Sequence, residues 1–224
     1  MSFVSVQRKG PAIELNLESR LHQVDRFHSD VTFSIRVPQW PTDISNWEYQ
    51  TNRKWPELAH VRRIVSLGCH LVPKSHPDDE QGTTWRLSFS KAEVELSKLV
   101  PENARICFIG LKISMKDYLA IAWKGLASYH LKCILFYTLE EMGDSEIWYD
   151  ETYLEICFNT LLHKLMVCVN ARECLHYWIP QMNLFKHMTE KESKRLSRVL
   201  AKVQRQPEKF IEEFTLPKDK RKRI

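Results

Sequence analysis

A strict two-residue alternation near the N-terminus constrains this chain more than any other feature. Ile13, Leu15 and Leu17 alternate with Glu14, Asn16 and Glu18. Farther on, His28, Asp30, Thr32, Ser34 and Arg36 alternate with Ser29, Val31, Phe33, Ile35 and Val37. Period two puts one kind of side chain on each face of an extended strand, so both stretches are predicted to be strands with one apolar and one polar face. Pro38 and Pro41 end the pattern, because proline has no N–H for a ladder. The two strands suit an antiparallel pair, but a hairpin alone is marginal in water. The expectation is that more sheet lies upstream.

After residue 37 the period changes. Trp47 to Lys74 reads as irregular, with one short helix near Pro56 to Ser66. Pro56 suits a first helical turn and Gly68 a C-cap. A polar loop is expected from Ser75 to Thr83, and helices from there on. Ser90-x-x-Glu93 fits a capping box opening a helix to about Val100. Further helices are expected over Ile106–Ala122 and Leu126–Glu141. Leu154, Phe158, Leu161, Leu165 and Cys168 form an apolar stripe at helical spacing, as do Leu196, Val199, Leu200 and Val203 before Pro207. The fold class this implies is α+β and mostly α.

Composition excludes several classes. Glycine is scarce, at 6 of 224 residues, which argues against a turn-rich all-β fold and a glycine-rich phosphate loop. The 43% hydrophobic content excludes a disordered chain. No run reaches the ~18 apolar residues of a membrane span, and Met1 to Arg8 lacks the apolar core of a signal peptide. The six cysteines, Cys69, Cys107, Cys133, Cys157, Cys168 and Cys174, form no C-x-x-C. They read as reduced core thiols of an intracellular protein, cytoplasmic or nuclear. Net charge is +5. Lys218, Lys220, Arg221, Lys222 and Arg223 against Asp219 place most of it in the tail. Such a tail is a weak signal for nucleic acid, membrane surface or nuclear import. Generic catalytic motifs for hydrolases, P-loop enzymes, zinc proteases and kinases are absent from the sequence. Cys168, Cys174 and His176 lie close together without an apparent fourth zinc ligand, and read as core thiols beside a surface histidine.

Specificity comes from a series of segments in order. Lys9-Gly10-Pro11-Ala12-Ile13-Glu14-Leu15 is followed by Ser29-Asp30-Val31-Thr32-Phe33 and Leu71-Val72-Pro73-Lys74. Then come Thr84-Trp85-Arg86-Leu87-Ser88-Phe89-Ser90-x-x-Glu93, Cys107, Lys112 and Ser128-Tyr129-His130-Leu131-Lys132. Tyr177-Trp178-Ile179-Pro180-Gln181-Met182-Asn183-Leu184-Phe185 closes the series. Over about residues 9 to 206 the chain resembles the family of cyclic GMP-AMP synthase and the male-abnormal-twenty-one (Mab) proteins.

The resemblance implies a nucleotidyltransferase fold in which a β-sheet core precedes a helical C-terminal lobe. The expected domains are a partial core over 1–74, a helical lobe over 75–206 and a basic tail over 207–224. In active members three carboxylates hold two Mg²⁺ (or Mn²⁺) ions, which activate the attacking hydroxyl and neutralise the triphosphate. Asp30 matches the third carboxylate, making it the candidate catalytic and metal-binding residue. The other two belong upstream, after a Gly-Ser turn, yet no Gly is followed by Ser in these 224 residues. The chain alone is therefore expected to be catalytically silent, although its lineage would make cyclic dinucleotides from ATP and GTP on sensing double-stranded nucleic acid. A non-catalytic Mab-type binding protein is the alternative.

Arg86 matches an arginine that reaches the nucleotide base and phosphates. Ser88 and Ser90 match hydroxyls near the base edge, and Glu93 an acidic residue on the same turn. Lys112 and Ser128 match groups on the donor phosphates, and Tyr129 the residue that stacks on a base. The same residues also suit a capping box at Ser90 and Glu93, a solvated charged face at Arg86, Lys112 and Lys132, and lobe packing at Tyr129 and His130. The family's zinc-bound insert of one His and three Cys is replaced by Leu99 to Arg105, which holds neither residue type, so no zinc site is expected. Arg62 and Arg63 remain as residues for a nucleic-acid surface.

Overall fold

The computed structural model describes residues 2–9, 12–18, 26–50, 52–73, 84–115 and 119–205. The chain divides into two compact units, Met1–Pro41 with Arg62–Glu95, and Thr42–Val61 with Leu96–Ile224. These units are discontinuous, since the division falls within two helices, α1 (Leu58–Val65) and α2 (Ser90–Lys98).

The first unit holds two three-stranded antiparallel sheets. One has the order β1 (Ser2–Lys9), β2 (Ala12–Glu18), β3 (Arg26–Thr32). The predicted pairing is there, with Ile13 opposite Val31 and Glu14 opposite Asp30. β1 shows no clean alternation in the sequence, and its register shifts between Phe3 and Ser5. A bulge inserts a residue and breaks the alternation that reveals a strand.

The other sheet joins β4 (Ile35–Val37), β5 (Cys69–Pro73) and β6 (Trp85–Ser88). The long alternation from His28 to Val37 is therefore not one strand. It breaks at Phe33–Ser34, and its two parts pair with different partners. β5 and β6, expected to be irregular and helical, are too short to show a period. Their register aligns Ile35, Leu71 and Leu87 in one row and Arg36, His70 and Ser88 in the next. Gly68 supplies the turn between α1 and β5. Its φ is +63°, and an added Cβ would lie 2.2 Å from the Val37 carbonyl oxygen, so no other residue fits without strain. Pro56 lies before α1 rather than in its first turn.

Four helices carry the second unit: α3 (Glu102–Ser114), α5 (Ser128–Met142), α6 (Leu154–Ala171) and α7 (Glu190–Arg205). A single turn, α4 (Ala120–Ala122), lies between α3 and α5. The predicted helix over Ile106–Ala122 starts earlier and stops at Ser114, because Pro101 provides the entry. α6 packs on α3, α5 and α7. Its buried residues, Cys157, Phe158, Leu161, Leu162, Leu165 and Val169, follow the three-four spacing of the sequence. Asn103 anchors the loop before α6 by donating to the carbonyls of Ile147 (2.9 Å) and Asp150 (2.7 Å). Trp148, fully buried, donates to the Gly143 carbonyl. All six cysteines are free thiols, and all but Cys168 are buried. No described helix is long and apolar enough to cross a membrane. The loop Ser75–Thr83 and the tail 207–224 lie outside the described residues.

Candidate functional site

In the first unit, four of the expected nucleotide-facing residues lie along one β6–α2 segment. Arg86 and Ser88 are two apart on β6 and share a face. Ser90 is the first residue of α2 and is exposed; Glu93, half-buried, follows one turn later. The Glu93 N–H donates to the Phe89 carbonyl at 2.8 Å, so Phe89 stands at the cap position in place of Ser90. Beside Ser88 in the sheet sits His70, buried, with Nδ1 unbonded. Burial lowers its pKa first, then Lys91 and Arg36, which keeps the ring neutral and surrounds it with cations. A shallow groove of about 240 Å³ runs along α2, lined by Leu67, Ser90, Lys91, Val94 and Glu95. Arg62 and Arg63 are exposed on α1, and Arg63 pairs with Glu95 at 3.2 Å.

The remaining nucleotide-facing residues belong to the second unit. Lys112 is exposed in the last turn of α3. Ser128 and Tyr129, both half-buried, open α5. Ala127 carries no side-chain acceptor, so the helix start is secured by His130, whose Nδ1 accepts from the Ala127 N–H at 3.0 Å. The His130 ring stacks on Trp123 and meets Phe185 edge-on, and burial lowers its pKa to about 4.

Tyr129 Oη lies 3.0 Å from His176 Nε2. On the other side of that imidazole, Nδ1 accepts from the backbone N–H groups of Trp178 (3.2 Å) and Ile179 (3.1 Å). A nitrogen that accepts twice carries no proton, so Nε2 holds it and donates to the Tyr129 oxygen. The ring of Tyr129 is thus fixed against His176, with Lys132 Nζ 5.8 Å from its centroid. His176 is no bare surface histidine: it is half-buried and orients Tyr129. Nothing in their spacing linked the two, because the contact joins α5 to the loop after α6.

A second cluster in this unit escaped the sequence reading. Arg53 Nε lies 3.3 Å from Glu140 Oε1, with side chains only 6% and 11% exposed. The guanidinium sits 4.0 Å above the Trp47 ring and also donates to the Trp47 carbonyl and to Gln50 Oε1. Tyr177 Oη donates to Glu140 at 2.7 Å. Burial pulls the Arg53 pKa down and pushes those of Glu140 and Tyr177 up. Gln50, Arg53 and Glu140 of this cluster line a cleft of about 390 Å³ with Lys54, Tyr137 and Glu141. A buried ion pair of this kind positions chain segments more than it reacts. Cys168 and Cys174 are both free thiols, and a hydrogen bond with Cys174 holds the Cys168 thiol below its ordinary pKa.

The backbone of Asp30 lies in β3, opposite Glu14; the side chain of Asp30 falls outside the described residues. Among the described residues no three His, Cys, Asp or Glu side chains gather as a metal site.

Comparison with known families covers most of the chain. Residues 2–97 match the family model of the Mab-21 protein nucleotidyltransferase domain. Residues 107–202 match that of the Mab-21 protein HhH/H2TH-like domain.

Proposed function

This chain belongs to the Mab-21 family, and we propose that it is a nucleotide-binding protein of the nucleotidyltransferase fold that makes no phosphodiester bond by itself. The observation that carries this reading is the β6–α2 segment. It offers a guanidinium at Arg86, hydroxyls at Ser88 and Ser90, and a cationic setting from Arg36 and Lys91. These are donors and charges suited to the base and phosphates of ATP or GTP. Ser128 and Tyr129 at the start of α5, and Lys112 on α3, are the further contacts in this reading. The absence of a Gly-Ser turn and of two metal carboxylates within the 224 residues supports catalytic silence.

The lineage in this reading is that of cyclic dinucleotide synthesis on sensing double-stranded nucleic acid. Asp30 is the surviving ligand for Mg²⁺ or Mn²⁺, and Arg62 and Arg63 face nucleic acid. Six free thiols suit a reducing intracellular compartment, cytoplasmic or nuclear.

The test is a titration of the full chain with fluorescent ATP and GTP analogues in Mg²⁺. Arg86→Ala is expected to weaken binding at least tenfold, or about 1.4 kcal/mol. In parallel, ATP, GTP and Mg²⁺ with duplex DNA should yield no cyclic dinucleotide. No nucleotide binding in the unmutated chain overturns the proposal. Product formation abolished by Asp30→Asn replaces silence with catalysis.

A further inference from the structure

Helix α6 ends in a turn that folds the chain back over its own last residues. Arg172 stands in the left-handed region at φ 54°, and its N–H points at the carbonyls of Cys168 and Val169. The Glu173 N–H donates to the Cys168 carbonyl at 2.9 Å. This six-to-one closure brings the residues after the cap against the last helical turn. Cys174 is thereby returned to Cys168, and the two thiols share a hydrogen bond. Cys168 is half-buried and meets solvent, whereas Cys174 is only 2% exposed.

Cys174 also closes the neck of a loop. Its N–H donates to Asn183 Oδ1 at 3.0 Å, and its carbonyl accepts from the Leu184 N–H at 2.7 Å. Leu175 bridges Asn183 beside it. Within that loop lies His176, which holds Tyr129. The two sulfurs differ in character. The bond from Cys174 lowers the Cys168 pKa; burial opposes it, Lys164 one turn back on α6 adds to it, and Glu141 and Glu173 oppose it. The same bond, and then burial, push the Cys174 thiol up. One sulfur is therefore acidic and accessible, and the other is protonated and buried, the pairing of attacking and resolving thiols. Cys107 and Cys157 contrast with them. Both are buried, both donate to backbone carbonyls, and burial raises the pKa of each.

We propose that Cys168 and Cys174 are a peroxide-reactive thiol pair whose disulfide fastens the neck of the His176 loop to the end of α6. The Cys168 thiolate attacks one oxygen of hydrogen peroxide. An S–O bond forms as the O–O bond breaks, and the departing hydroxide takes up the proton that Cys168 gave to solvent. The Cys174 sulfur then attacks the sulfenic sulfur. An S–S bond forms, the S–O bond breaks, and the hydroxide leaves as water with the Cys174 proton. Two electrons pass from the sulfurs to the peroxide, so two thiols and one peroxide give one disulfide and two waters. Two molecules of a small thiol of the glutathione class restore the pair by exchange and leave as their own disulfide.

The experiment takes the full chain, reduced and freed of reductant, and exposes it to hydrogen peroxide. Remaining thiols are alkylated with iodoacetamide in guanidinium, and the chain is digested with trypsin. Cleavage after Lys164, Arg172 and Lys186 puts the two cysteines on separate peptides, 165–172 and 173–186. Their disulfide should appear in the mass spectrum as a linked pair that dithiothreitol abolishes. Cys168 and Cys174 should lose alkylation together while Cys107 and Cys157 keep theirs. Cys174→Ser should remove the linked pair and leave Cys168 as a sulfenic acid that dimedone captures. Cys133→Ser, in the buried α5 thiol that also acts on Cys174, should leave the pair intact. Amide exchange across residues 175–183 should slow on oxidation and recover on reduction. A disulfide between Cys133 and Cys174, oxidised Cys168 beside alkylated Cys174, or a linked pair formed only after the thermal transition is lost overturns the proposal. A linked pair with unchanged amide exchange overturns the fastening of the loop. No nucleotide enters the measurement, so this proposal and the nucleotide-binding reading fail separately.

Discussion

The three-stranded sheet β1–β3 and the helical core around α6 both carry a periodic apolar face, and among the described side chains the two differ in how far that face is covered. In the sheet, Val6, Ile13 and Val31 are 52%, 47% and 50% exposed, and Phe33 just beyond it is 71% exposed. In the helical unit, Trp47, Trp148 and Trp178 are each 0% exposed. The difference is one of layers. A helix or sheet buries an apolar face only against another element, and α6 has α3, α5 and α7. Periodicity therefore says which face is apolar, while burial follows from what packs on it.

The sharpest way to break this comparison is at its most buried point. Trp148→Ala removes an indole and leaves the Gly143 carbonyl without its donor, and should cost about 3–5 kcal/mol. A calorimetric melt should show the helical unit's transition lowered by roughly 10 °C or more; an unchanged melt would mean that burial there contributes little.

Smaller and more selective is the effect of pH on the start of α5. The folded pKa of His130 is lowered to about 4, against a usual 6.5, chiefly by burial. The unfolded chain therefore binds the proton first. Stability from the neutral ring is complete above pH 6.5 and is lost as pH falls towards about 4. His130→Asn keeps an acceptor for the Ala127 N–H but cannot titrate. Urea unfolding between those limits should be less pH-dependent in this variant. An identical profile would assign the slope to other groups.

The smallest expected effect is on the sheet. Phe33→Ser should change stability by no more than about 0.5 kcal/mol, as for an exposed site, and should reduce binding of a dye that reports apolar surface. A cost approaching that of Trp148→Ala would show that Phe33 is covered, and would erase the contrast between the two regions.

Legibility in the sequence followed the length and regularity of each element. β2, α5, α6 and α7 lie where their periods put them, because a long repeat averages over single residues, while β3 ends short of its own at Thr32. β4 was legible only as the end of the long alternation, and β5 and β6 were hidden by having five and four residues. The segments carrying the family resemblance proved legible at the level of the family, whose two domain matches span residues 2–97 and 107–202. The partners of individual side chains were not legible. Tyr129 found His176, and Arg53 found Glu140, through contacts between segments far apart in the chain.

By itself, then, the sequence determined the faces. It set the apolar side of β2 and β3, the apolar stripes of α6 and α7 and the order of elements, all of which depend on local spacing along the backbone. Tertiary structure alone decided the pairings: which sheet the second half of the long alternation joined, which carboxylate met the buried Arg53, and which nitrogen of His176 holds a proton for Tyr129. Those outcomes depend on distances between residues that chain connectivity leaves free, and only packing sets them.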